Sequence, residues 1–329
     1  MLRSRFIGVG AALPAAVVGN AEIEARLGVD PGWIEGRTGV RERRVVRDGE
    51  SLVDLAERAA RAALDAAGVD AASLDAIVVA TTSAPYLFPS LACLVHARLG
   101  LTAQPAFDVA AACAGFPYAL AVADQGIRAG DHRRVLVVGA DALSAYCDPV
   151  DRVTTPLFGD GAGATVLQAE RDDGGTAARG ILATRLRALG SQWEMLYVPA
   201  GKRSVEELLA PGADPWMRMR GQDVFRLAVE QLVALTREVL GAAGLAPDDV
   251  ALLVPHQANV RIIRMMLAQL RIPEARVCVN LERCGNTSAA SIPLALCDAV
   301  AQGRLSAGDV LVLNAVGGGM TAGAIVARW

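Results

Sequence analysis

Two stretches of this chain repeat one another, and that repeat constrains the fold more than any other feature. Leu64-Asp-Ala-Ala-Gly-Val69 leads through a short acidic turn into the apolar run Ala76–Ala80. Leu240-Gly-Ala-Ala-Gly-Leu245 leads in the same way through Asp248 and Asp249 into Leu252–Val254. The offset is about 176 residues, and a similar one relates Ala129-Gly-Asp131 and Val135–Val138 to Ala307-Gly-Asp309 and Val310–Leu313. Two matched strand–helix units in the same order predict a duplicated domain. The polar, Gly-containing segment Glu170–Gly180 is the natural hinge, which gives an N-terminal half over 1–174 and a C-terminal half over 175–329.

The repeated apolar runs are of strand length and read as strands buried on both faces. Between them Leu52–Ala67 and Val224–Leu240 carry helical spacing, so the class is α/β. Hydrophobic residues make up 53% of the chain and the mean hydropathy is +0.35, which raises the question of a membrane. A bilayer span needs ~20 consecutive apolar residues, yet Asp75, Arg134 and Asp141 interrupt the runs. Met1–Leu13 lacks a convincing cleavage site before Pro14. A soluble cytoplasmic protein without membrane insertion is expected. With 32 Lys+Arg against 35 Asp+Glu, there is no basic excess for general nucleic-acid binding. One region breaks the pattern: Gly190–Arg220 holds two of the four tryptophans, with a helical-looking piece at Val205–Leu209. Such excursions often cover or shape a site.

Chemistry has few candidates. The six cysteines form no CxxC pair, and there are only three histidines, His96, His132 and His256. No metal-ligand set emerges. In Phe107-Asp-Val-Ala-Ala-Ala-Cys113-Ala-Gly-Phe-Pro117, Cys113 falls at a strand-to-helix turn. A helix N-terminus there favours a thiolate, although a lone cysteine also fits an inert buried thiol. His256 follows the strand Leu252–Val254 and precedes a helix, a ligand-facing place in α/β proteins that a satisfied core histidine can also occupy. His96, in a helical segment, and His132, among charges in a turn, read as structural or solvated. Asn286, in Arg283-Cys-Gly-Asn286-Thr-Ser-Ala-Ala-Ser291, opens another helix and also reads as an N-cap. Neither Gly8-Val-Gly10 nor Phe158-Gly-Asp-Gly-Ala-Gly-Ala164 has the spacing of a dinucleotide loop. Val316-Gly-Gly-Gly319-Met320 follows a strand and has backbone amides to offer an anion.

Together these motifs resemble the β-ketoacyl-[acyl carrier protein] synthase III family of the thiolase superfamily. The resemblance rests on Trp33-Ile-Glu-Gly-Arg37-Thr-Gly-Val-Arg-Glu-Arg43, Asp108–Phe116, Cys147-Asp-Pro-Val-Asp-Arg152, Phe158–Ala164, Val254–Ile263 and Gly285–Pro293, in order from Phe6 to the C-terminus. It implies a five-layered α-β-α-β-α sandwich of two duplicated halves and a homodimer. It also implies decarboxylative condensation of a short acyl-CoA primer with malonyl-[acyl carrier protein] to a β-ketoacyl-[acyl carrier protein], initiating fatty acid synthesis, with no cofactor and no metal.

Residue by residue, the resemblance makes Cys113 the acyl-accepting nucleophile. His256 and Asn286 become donors to the malonyl thioester carbonyl, and the N–H groups of Cys113 and Gly318 the oxyanion hole. Trp33, Arg37, Thr38, Arg152 and Asn259 would line the CoA and pantetheine path. Arg261 would dock the carrier protein, helped by Arg264 one helical turn away. Phe88, Val316 and Met320 would shape the acyl pocket, Phe88 by reaching across the dimer. Elongating synthases pair cysteine with two histidines, and Asn286 replaces the second here. The family's usual FGGGFTWG ending reads Val316-Gly-Gly-Gly-Met-Thr-Ala-Gly323, which leaves primer length open. It also admits an alternative: a specialised-metabolite acyltransferase using Cys113 on a different acceptor.

Overall fold

The computed structural model describes residues 2–47, 49–171, 179–199 and 215–329. The expected helical piece at Val205–Leu209 lies outside them, as does most of the expected hinge, of which Glu170 and Arg171 continue a strand.

Two large sheets carry the fold. The first has the order β1 (Leu2–Ala12), β7 (Asp160–Arg171), β6 (Arg134–Ala142), β4 (Ala76–Ala80), β5 (Ala106–Val109). The second has the order β8 (Gly180–Ala188), β13 (Thr321–Arg328), β12 (Val310–Gly317), β11 (Val250–Pro255). The strand directions match: β4 runs parallel to β6 and β11 parallel to β12, while β7, β1 and β13, β8 add antiparallel. Where the first sheet adds β5 beside β4, the second has one parallel bridge, Leu253 to Val277. Small hairpins join β2 (Ala16–Gly19) to β3 (Glu42–Val45) and β9 (Leu196–Tyr197) to β10 (Arg218–Met219).

Strand alternation then builds five layers. Ala76, Val78 and Ala80 of β4 face a central layer, and Ile77 and Val79 face the opposite way. The central layer is α5 (Gly115–Ala129) and α9 (Ser291–Ala301), sealed between the sheets by Phe116, Leu120, Ile292 and Leu296. Outside the first sheet lie α3 (Leu52–Ala67) and α4 (Leu91–Arg98). Outside the second lie α6 (Gly221–Ala242) and α7 (Val260–Leu270). Both faces of each sheet are covered, which explains why the strands read as unbroken apolar runs. Helix α3 begins where Ser51 and Asp54 form a reciprocal capping box, a device worth ~1 kcal/mol.

Gly8 and Gly10 belong to β1, where a Cβ would collide with the α3 backbone at Ala63 and Ala59. These glycines permit close packing. Phe158–Ala164 likewise runs into β7. Among the described residues, no helix is long and apolar enough to cross a membrane and no cluster is suited to a metal ion.

Candidate active site

The central helices bring chemistry to one point because both begin in the middle of the molecule. Cys113 sits in a short 3₁₀ turn, Ala112–Ala114, that feeds directly into α5. Ala112 is held at φ +45°, a conformation that costs a non-glycine residue free energy. It makes the sharp turn from β5 into α5.

From the second half come three further segments. His256 follows β11, and its N–H donates to Asn314 O at 2.8 Å. Asn286 follows the short helix α8 (Leu281–Cys284) and pairs with Phe158 in an isolated bridge. Its Oδ1 accepts the Ser288 N–H at 2.9 Å, so the amide nitrogen is the group left to donate. Gly317 ends β12 so close to Cys113 that a Cβ there would lie 2.5 Å from the Cys113 nitrogen. Thr321 fastens the glycine turn to the cysteine turn by donating to Ala111 O at 2.7 Å.

Cys113 stands where two cavities meet. One, of about 300 Å³, runs past Cys113, His256 and Asn286 to Trp33, Arg37, Thr38, Arg152, Asn259 and Arg261. The other, of about 360 Å³, is lined on the far side by apolar and aromatic residues including Leu143, Tyr146, Trp193, Leu196, Tyr197 and Met217. Phe158 and Cys113 border both. The Gly190–Arg220 excursion thus forms one wall of the second cavity, through Trp193, Leu196, Tyr197, Val198 and Met217.

The expected channel residues also have structural partners. Arg37 stacks over Trp33 at 4.6 Å. Thr38 donates to Ile34 O at 2.7 Å. Arg152 reaches Leu27 O at 2.9 Å. Asn259 caps α7 by accepting the Arg261 N–H at 2.8 Å and donates to Arg37 O at 3.3 Å. Arg261 and Arg264 are exposed at the start of α7, and Arg264 lies 3.7 Å from Glu274.

The acyl-pocket residues are distributed differently from expectation. Val316 and Met320 border the channel with His256, not the far cavity, because their side chains face α6 and α7. Gly318 and Gly319 border the far cavity instead. Phe88 is 82% exposed and does not line the cavity of its own chain. The far-side lining comes from scattered segments that share no motif. Leu143 and Tyr146 were therefore missed, as was Ser291, although it closes the segment that contains Asn286.

Burial governs the electrostatics. It pushes the Cys113 thiol up to about 12, opposed by the Ser288 hydroxyl and reinforced by the Asp141 charge. Desolvation also pulls His256 down to about 3, so its imidazole is neutral at physiological pH. Below them Asp141, wholly buried, accepts from the Thr82 and Ala289 N–H groups and the Ser83 hydroxyl at 2.8, 3.2 and 2.8 Å. This carboxylate ties the Ser288–Ala290 turn and the loop after β4 to β6.

Known proteins match the chain in sequence and in fold. The family model for 3-oxoacyl-[acyl-carrier-protein] synthase III matches residues 107–190, and the model for the C-terminal part of that enzyme matches residues 240–329. A β-ketoacyl-[acyl-carrier-protein] synthase III of Rhodospirillum centenum is 48% identical over 328 residues, covering 100% of this chain and 99% of the relative. The crystal structure of 3-oxoacyl-[acyl-carrier-protein] synthase III from Aquifex aeolicus is 42% identical and superposes with a TM-score of 0.91, covering 99% of this chain and 100% of that one. The priming β-ketosynthase of the R1128 polyketide pathway is 35% identical with a TM-score of 0.92, covering 99% and 96%. By sequence and by fold, the chain belongs to the β-ketoacyl-[acyl-carrier-protein] synthase III family of condensing acyltransferases.

Proposed function

We propose that the protein joins an acyl-CoA primer to malonyl-[acyl carrier protein] with loss of carbon dioxide, initiating fatty acid synthesis through an acyl group held on Cys113. The observation that carries this reading is the place of Cys113, at the start of a central helix and at the junction of two cavities. The acyl group occupies the far cavity. The pantetheine of each thioester enters along the channel past Trp33, Arg37, Thr38, Arg152 and Asn259. Arg261 and Arg264 receive the acidic carrier protein.

In the first step the Cys113 sulfur attacks the primer thioester carbonyl, and the N–H groups of Cys113 and Gly318 hold the oxyanion. CoA departs as its thiol, taking up the proton lost by Cys113. Because burial keeps that proton on the empty enzyme, the thiolate forms only as substrate arrives, favoured by the N-terminus of α5. Splitting C–C bond formation into two displacements on one sulfur is the gain of covalent catalysis.

Malonyl-carrier then binds in the emptied channel. As carbon dioxide leaves, the electrons of the broken bond pass to the thioester carbonyl, whose oxygen becomes an enolate. His256 and the Asn286 amide donate to that oxygen, each such donor being worth about 3 kcal/mol. The carbanion attacks acyl-Cys113, the C–S bond breaks with its electrons passing to sulfur, the β-ketoacyl-carrier leaves, and a proton from water restores the Cys113 thiol.

We place the boundary of the two halves at 174/175 and the protein in the cytoplasm. We further propose a homodimer: Tyr86, Leu87 and Phe88 are exposed, and Phe107 is exposed on the edge strand β5. Phe88 then closes the partner's acyl cavity.

Intact-protein mass spectrometry with a panel of acyl-CoAs, followed by malonyl-carrier, tests the reading. A gain of one acyl mass, absent in Cys113→Ala and discharged as a β-ketoacyl product with carbon dioxide release, is the expected result. Loading discharged to another acceptor without carbon dioxide supports the specialised acyltransferase instead. No loading from any acyl-CoA overturns the role of Cys113 with this class of primer.

A further inference from the structure

Resting on the role proposed for His256, we infer that Ser291 is a positioning residue whose hydroxyl fixes the His256 tautomer, keeping Nδ1 an acceptor and the proton on Nε2. Ser291 is the first residue of α9 and is 1% exposed. Its Oγ lies 2.7 Å from His256 Nδ1 and 3.4 Å from the Gln257 nitrogen. A backbone N–H can only donate, so Oγ is the acceptor toward Gln257. That amide is held firmly. The Gln257 side chain donates to Pro255 O at 2.7 Å and Cys278 O at 3.2 Å, and accepts the Asn280 N–H at 3.1 Å.

The hydroxyl has a single proton to place. Among the described residues, His256 Nδ1 is the acceptor it meets. In the other tautomer Nδ1–H would donate to Oγ and strand the hydroxyl proton in a buried site, an arrangement that folded proteins avoid. Because desolvation keeps the ring neutral, the position of its one proton decides what it offers the substrate. With the proton on Nε2, His256 donates to the developing enolate. With the proton on Nδ1, it would turn a lone pair toward negative charge.

The test begins on the full-length parent protein with ¹⁵N-labelled histidine. The chain has only three histidines, and His96→Gln and His132→Gln variants assign their signals. His256 is expected to show the neutral Nε2–H pattern throughout about pH 5 to 8, the range in which an ordinary histidine titrates. An Nδ1–H pattern in the parent protein overturns the inference with no variant needed. In Ser291→Ala the pattern is expected to become mixed. Decarboxylation of malonyl-carrier should fall about tenfold to a hundredfold, as for loss of other groups that orient a histidine. The loss should appear in kcat rather than KM, with acyl loading of Cys113 falling much less. A Ser291→Ala protein that keeps the Nε2–H pattern and the parent rate overturns the inference while leaving the role of His256 intact. Parent-like decarboxylation by His256→Ala instead overturns that role. The two failures are distinguishable because the parent's tautomer signal does not depend on catalysis.

Discussion

The two halves of the molecule share one backbone device and use it for different ends. Each central helix is entered through a 3₁₀ turn whose first residue is a non-glycine at positive φ, Ala112 at +45° and Ser288 at +50°. The two positions are separated by the same offset of about 176 residues that relates the sequence repeats. The next residue is Cys113 in one half and Ala289 in the other. Each turn is packed under the end of a strand from the opposite half, β12 over Cys113 and β6 over Ala289. There the symmetry is broken. Asp141 of β6 caps the Ala289 N–H, whereas β12 presents Gly317 to Cys113, and a glycine has no side chain with which to cap. One turn is closed by a carboxylate, and its twin faces a glycine, which in the proposed reaction leaves the Cys113 N–H to a substrate oxygen.

The comparison is most easily broken at the nucleophile. Cys113→Ala gives the first half the residue that the second already carries. Acyl loading should vanish from the mass spectrum while stability changes by ~1 kcal/mol or less. Global unfolding of this variant would mean that the cysteine is needed for packing. Next in size is Gly317→Ala, which places a methyl group 2.5 Å from the Cys113 nitrogen. Removal of an oxyanion donor costs about 10²–10³ in kcat, so single-turnover acylation should slow by that order with the fold preserved by circular dichroism.

Asp141→Ala uncaps the other turn and leaves the buried Ala289 N–H and the Thr82 N–H without their acceptor. Stability should fall by about 3 kcal/mol, read from the urea midpoint. An unchanged midpoint would show that the carboxylate is not what holds the second turn. The smallest effect is graded with pH. Burial raises the Cys113 pKa to about 12, which favours the neutral thiol below that pH. Alkylation of the empty enzyme by iodoacetamide should therefore rise about tenfold per pH unit, without a plateau below pH 10. A plateau near pH 7 would mean that the helix terminus outweighs desolvation even before substrate binds. His256, lowered to about 3, should add no inflection to the condensation profile between pH 5 and 8.

Much of this architecture is legible in the residues. Leu52–Ala67 has helical spacing between a capping serine and Gly68, and it is the helix the structure contains. The runs at Ala76, Val135, Leu252 and Val310 are apolar because layers cover both faces of their sheets, and each is a strand. Cys113, His256 and Asn286 stand out as candidates because each follows or precedes a strand or helix end, where α/β folds expose side chains to ligands. An inert thiol, a core histidine and an N-cap fit those places too, and only the family resemblance chooses between the readings. The wall of the far cavity was legible only in part. Trp193 and Met217 belong to the Gly190–Arg220 excursion expected to shape a site, whereas Leu143 and Tyr146 carry no motif.

The sequence by itself determined the duplicated α/β plan and the small set of groups able to do chemistry, because periodicity and residue type are local properties. Only the tertiary structure decided how those groups differ between two nearly equivalent turns. That Gly317 rather than a carboxylate faces Cys113, that Val316 and Met320 turn toward the channel, and that Ser291 meets His256 all depend on contacts between distant segments. Such contacts are set by the packing of the two halves, which no local pattern records.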